Sequence, residues 1–282
     1  MAATDLQNDL AVRAASLTEK PVIEVRSLDA HYGSTQVLFG LDLEVYEGEI
    51  MVIMGSSGSG KTTLLRHLIG LEQPSSGSLE LLGRDLAHLG TIEMMELRRK
   101  IGVAFQGGAM FSSMSVVDNL KLPLREHARL DETTMDIMAQ MKLEVVNLSG
   151  FGHLMPAELS GGMLKRAAVA RAVVMDPKLL FFDEPSAGLD PIVSASLDEL
   201  ILRLREAMEM TIVVVTHEVE SALKIADRIT ILDAGRVVEV ATPAAIRKSK
   251  NPRVQNLLNR RAEEDELDPV EYLRRLTGGA SA

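Results

Sequence analysis

Short apolar runs recur along the chain, separated by more polar stretches. Residues 50–54 (IMVIM), 101–105 (IGVAF), 179–182 (LLFF) and 211–216 (TIVVVT) are continuous hydrophobic or β-branched stretches. That is the pattern of strands buried on both faces of a parallel sheet. Residues 64–69 and the charged, amphipathic segment 92–100 read as helices between them. Strands alternating with helices predict an α/β fold. Two segments differ, because residues 22–28 and 37–45 alternate apolar with polar positions and predict an antiparallel sheet beside that core. From about 113 to 175 the period becomes helical, with Met135, Met138 and Met141 in a stripe that suits core packing or an adaptable protein-binding surface. This predicts a helical subdomain, about 107–175, inserted in the α/β core. Inside it Ser160 is placed as the N-cap of a long Ala/Val-rich helix running on to Asp176-Pro177. Two more short strands are expected around residues 233–236, and the chain from Pro243 reads as helical. The expected organisation is an extension over 1–20, one domain over 21–242 and a C-terminal helical extension over 243–282, whose acidic run 263–266 reads as a solvated face or linker.

The junction of the first buried run with the first helix carries the strongest chemical signal. Gly55-Ser56-Ser57-Gly58-Ser59-Gly60-Lys61-Thr62 satisfies G-x-x-x-x-G-K-[ST] in full, followed by Thr63, between a strand and a helix. Glycines let main-chain N–H groups converge on a polyphosphate, and the helix start adds the positive end of its dipole. Lys61 then neutralises the outer phosphates and Thr62 offers its hydroxyl to Mg²⁺. Other candidates follow strand ends, where ligands collect in parallel α/β sheets. Gln106 follows 101–105 and could reach a metal or the attacking water. Asp183 and Glu184 follow 179–182 as a metal-holding acid and a base. His217 follows 211–216, within reach of a γ-phosphate. Tyr32, in the turn between the alternating segments, could stack on a purine. Ser160, Gly161 and Gly162 open a helix with a second anion-binding start.

Composition narrows the class. The 282 residues carry a net charge of −10, which argues against nucleic acid as the main partner. The absence of cysteine removes disulfides and thiolate chemistry. No uncharged apolar run approaches the ~18 residues of a membrane span, so a membrane role has to come through a partner.

Taken in order, Tyr32, the phosphate loop 55–62, Gln106, Leu159-Ser160-Gly161-Gly162-Met163, Asp183, Glu184, the loop 186–190 and His217 resemble the ATP-binding subunits of ABC transporters over about residues 22–242. The resemblance implies a RecA-like core with a helical lobe, ATP and Mg²⁺ as ligands, and a two-fold dimer in which the phosphate loop of one copy faces Ser160–Gly162 of the other. One departure stands out: Met163 occupies the position where the family usually has glutamine. That residue, with the segment 105–127, is similar to the ATPases of MCE-linked, Mla-type phospholipid transport systems. Such kinship implies an integral-membrane permease, an MCE-domain protein, a possible small accessory protein, and a peripheral place on the cytoplasmic face of the bacterial inner membrane. An importer ATPase for a polar solute shares every catalytic motif and is the alternative. A soluble ABC ATPase of translation or repair fits less well, since only one phosphate loop is present and no coiled-coil insertion fits the length. A non-catalytic ATP sensor is disfavoured by the presence of both Glu184 and His217.

Overall fold

A computed structural model describes residues 20–259. Strands β1 (Ile23–Tyr32), β2 (Thr35–Val45), β4 (Ser76–Leu81) and β5 (Arg84–Asp85) form an antiparallel sheet in the order β2-β1-β4-β5. A six-stranded sheet has the order β10-β9-β3-β8-β7-β6, built from β3 (Ile50–Met54), β6 (Ile101–Ala104), β7 (Leu179–Asp183), β8 (Thr211–Thr216), β9 (Arg228–Asp233) and β10 (Arg236–Ala241). Its pairings are parallel except β9 with β10.

The continuous apolar runs have a direct physical reason. Ile50, Val52 and Met54 face one hydrophobic core, with Leu180, Phe182, Ile212 and Val214. Met51 and Ile53 face a second core, with Phe181, Val213, Val215 and the inner residues of the antiparallel sheet. Successive residues of a strand point to opposite faces, so a sheet covered on both sides leaves no position for a polar residue. Phe181 and Phe182 are fully buried on opposite faces, and truncating either to alanine would cost about 3–5 kcal/mol.

Nine helices lie among the described residues: α1 (Lys61–Leu68), α2 (Thr91–Arg98), α3 (Val116–His127), α4 (Glu132–Val145), α5 (Gly161–Ala172), α6 (Pro191–Met208), α7 (Val219–Ile225), α8 (Pro243–Arg247) and α9 (Pro252–Leu258). The stretch from 113 to 175 is helical, with α3, α4 and α5 packed on the first core through Leu120, Leu143 and Ala170. Lys121 and Arg125 of α3 clamp Glu132 of α4, with Lys121 Nζ 2.6 Å and Arg125 Nε 3.1 Å from its carboxylate. The methionine stripe divides: Met135 is buried, Met138 packs against the core and Met141 is exposed. Helix α5 stops at Ala172, short of the expected Asp176-Pro177. A proline disfavours the helical conformation in the residue before it, and Asp176 takes a left-handed φ of 49°. The first helix instead begins earlier than periodicity suggested, at Lys61 inside the glycine motif. Tyr32 is the last residue of β1 and not part of the turn. The acidic run 263–266, the extension before residue 20 and the end of the chain lie outside the described residues.

The two sheets meet at the β9–β10 turn. Gly235 N–H donates to Ser59 O of the phosphate loop at 3.0 Å, and Phe39 N–H of β2 donates to Gly235 O at 3.0 Å. Gly235 has φ 75°, and a Cβ there would stand 2.0 Å from Val37 O. Only glycine fits between these two main chains.

Candidate nucleotide-binding site

The phosphate loop links β3 to α1. At Gly55 a Cβ would come within 2.2 Å of Leu232 O and 2.4 Å of Ser59 Oγ, so the loop closes only with a bare Cα there. Ser56, Ser57 and Gly58 form its exposed rim, whereas Ser59 is buried with no hydrogen-bond partner for its hydroxyl among the described residues. Lys61 is buried and folds back over the loop, donating from Nζ to Gly55 O at 2.9 Å and Ser56 O at 2.8 Å. Burial pushes its pKa down, while Glu184 and Asp183 pull it up. Thr62 and Thr63 lie in the first turn of α1, where helical N–H groups have no intrahelical acceptor. A glycine cradle, an ammonium, hydroxyls and a helix start are a donor set for a polyanion.

The carboxyl ends of β6, β7 and β8 face this loop. Gln106 is exposed just past β6. Asp183 closes β7, its pKa raised first by burial and then by Glu184, against the lowering effect of Lys165 and Lys61. Such a carboxylate has electrostatic reason to take a cation. Among the described residues no three His, Cys, Asp or Glu side chains form a metal cluster. A cation here would therefore complete its shell with phosphate oxygens and water, as Mg²⁺ ordinarily does.

Glu184 follows with φ 46°, a left-handed conformation that costs a non-glycine residue about 1–3 kcal/mol and persists only where surrounding contacts impose it. Those contacts are evident. Its N–H donates to Val215 O at 2.8 Å. Its Oε2 lies 2.9 Å from His217 Nδ1, the geometry of an Nδ1–H tautomer donating to a carboxylate, and 3.4 Å from the His217 main-chain nitrogen. Its carbonyl accepts from Lys165 Nζ at 3.1 Å. The structure thus brings Lys61, Asp183, Glu184 and His217 to one sheet edge. Lys165 carried no motif signal, although its position four residues past Gly161 puts it on the same face of the helix start.

Two predicted elements stand apart from this cluster. Tyr32 is 75% exposed at the end of β1. Ser160 caps α5 by accepting from Met163 N–H at 3.3 Å and is exposed with Gly161 at the end of the helical lobe. A cavity of 330 Å³ lined by Lys20, Glu47, Lys100, Lys178 and Thr211 opens at the opposite edge of the sheet, by the amino ends of β6, β7 and β8.

Comparison with known proteins decides the family. The ABC transporter family model matches residues 38–187. This chain belongs to the ABC transporter family, as its ATP-binding, ATP-hydrolysing cassette. It is 43% identical over 237 residues, 84% of this chain and 90% of the other, to the intermembrane phospholipid transport system ATP-binding protein MlaF of Haemophilus influenzae. Identity to the Mycobacterium leprae protein named probable ribonucleotide transport ATP-binding protein mkl is 38%, covering 85% of this chain and 69% of that one. Among solved structures, the cassette resembles dimeric MJ0796 in a post-hydrolysis state with ADP and Pi, at TM-score 0.72 and 29% identity, covering 78% of this chain and 98% of that one. It also resembles cbiO1 of Clostridium perfringens, part of the ABC transporter complex cbiONQ, at TM-score 0.76 and 27% identity, covering 91% of this chain and all of the other.

Proposed function

We propose that this cassette powers phospholipid transport between inner and outer membranes, docked as a homodimer on an integral-membrane permease that works with an MCE-domain protein. The observation that carries the reading is the 43% identity to the H. influenzae phospholipid system protein, sustained over 90% of that protein. Among the described residues no helix is long and apolar enough to cross a membrane.

At each site Tyr32 stacks on the adenine ring, and the main chain from Gly55 to Thr63 holds the phosphates, with Lys61 swinging from the Gly55 and Ser56 carbonyls to the outer phosphates. Ser160, Gly161 and Gly162 of the second copy close over the γ-phosphate. Thr62, Gln106 and Asp183 would hold Mg²⁺, which supplies charge neutralisation when bound. Glu184, held by His217, accepts the proton of the attacking water as its oxygen bonds to the γ-phosphorus and the bond to the bridging oxygen breaks, giving ADP and phosphate.

The decisive experiment is to tag the chain, purify it gently from native membranes and identify copurifying proteins and lipids by mass spectrometry. A multi-spanning permease with an MCE protein and phospholipid is the expected result. The name of the mycobacterial relative favours a polar-solute reading. A permease accompanied by a solute-binding protein would support that reading and overturn the lipid one.

A further inference from the structure

Two side chains of helix α5 bond main-chain carbonyls beyond the strand ends of its own protomer: Arg171 donates to Ala109 O at 2.7 Å, and Lys165 reaches two loops at once. Lys165 Nζ donates to the main-chain carbonyl of Gln106 and, at 3.1 Å, to that of Glu184. These carbonyls stand just beyond β6 and β7, in the two loops that carry the residues aimed at metal and water. The Lys165 side chain is half-buried, and burial pushes its pKa down while Asp183 and Glu184 draw it up. Its two acceptors come from strands that are neighbours in the sheet, so one cation pins both loops at once. Glu184 has a strained backbone, and its N–H and carboxylate are held by β8 and His217. The Glu184 carbonyl accepts from Ala187 N–H at 3.2 Å and from Lys165 Nζ, and of these holds the Lys165 one comes from the helical lobe.

We propose that Lys165 is a positioning residue for hydrolysis: it fastens the main chain of Gln106 and Glu184 to α5, so that the base is aligned only while that helix is seated against the sheet. This rests on the reading above that Glu184 acts on water and that Ser160 at the start of the same helix serves the other copy's nucleotide. Under that reading the tether makes the alignment of one site depend on the occupancy of the other.

The test compares Lys165→Met and Lys165→Arg with the wild type, in the full chain assembled with its membrane partners. Steady-state hydrolysis against ATP concentration, affinity for a fluorescent ATP analogue and thermal stability are measured together. Methionine fills the space without donating and is expected to lower kcat about tenfold while KM and nucleotide affinity stay within about twofold. Arginine has enough donors to reach both carbonyls and is expected to recover most of kcat. Any dependence of rate on ATP steeper than first order should flatten in the methionine variant. Unchanged kcat, an arginine variant no better than methionine, or a loss of kcat in step with affinity and stability would each overturn the proposal. If the methionine variant does not fold, Lys165→Gln, which keeps one donor group, is held to the same criteria. A wild-type chain without ATPase activity would instead defeat the Glu184 reading itself, and is seen before any variant is compared.

Discussion

Glu184 is gripped at its N–H and its carboxylate by the end of β8, through Val215 and His217, and at its carbonyl by Ala187 and by Lys165 of α5. A residue held in this way in a strained conformation has its side-chain direction set by the scaffold. On the reading proposed above, replacing its carboxylate by an amide should remove the base and leave the position intact. Glu184→Gln is expected to keep ATP affinity and to lower steady-state hydrolysis by about 10²–10⁴-fold, the usual range for a general base. Equilibrium binding and a phosphate-release assay check both halves, and turnover at the wild-type rate would remove Glu184 from the role. Residues of this kind were legible in the sequence because each sits in a motif that follows a buried strand. Lys165 was not, because one lysine on a helix is normally a solvated side chain, and only the folded positions of two distant carbonyls give it acceptors. The positive φ of Glu184 was equally hidden, since glutamate has no preference for that region.

At the scale of elements, the buried strands were read well because a sheet covered on both faces leaves an uninterrupted apolar signal. Helix ends were read less well. Val173 and Val174 continue the apolar pattern beyond α5, yet the helix stops at Ala172, with Val173 as its C-cap, and the chain turns before Asp176-Pro177. The clamp between α3 and α4 was also beyond pattern reading, because it joins charges on two helices whose packing angle no periodicity encodes. Glu132 is exposed there, and its hydrogen bonds to Arg125, then Lys121, hold its pKa down from 4.5 to about 2. A carboxylate with a depressed pKa in the folded state stabilises above its unfolded pKa and loses that contribution as the pH falls through the folded value. The stability difference between wild type and Glu132→Gln should therefore be constant above pH 4.5 and close between pH 4.5 and about 2. Denaturant melts across that range test it, and a difference that persists undiminished at the acid end would refute it. The gap should also shrink with added salt, as for any exposed ion pair.

For the whole molecule, the α/β core, the antiparallel sheet and the helical lobe were each visible in the sequence, whereas their joint was not. The tightest point of contact between the α/β core and the antiparallel sheet is Gly235, bonded on one side to the phosphate loop and on the other to β2. With a left-handed φ and a Val37 oxygen where a Cβ would go, it admits no side chain. Gly235→Ala should destabilise the chain by about 1–3 kcal/mol and weaken ATP binding with it, although the residue touches no ligand. Calorimetric melting together with equilibrium nucleotide binding would check this, and a variant with normal stability and normal affinity would show that the joint is slack. Mechanically, Gly235 acts as a rivet. Ser59 of the phosphate loop and Phe39 of β2 are pinned through it, so a displacement of the antiparallel sheet is carried straight to the nucleotide loop.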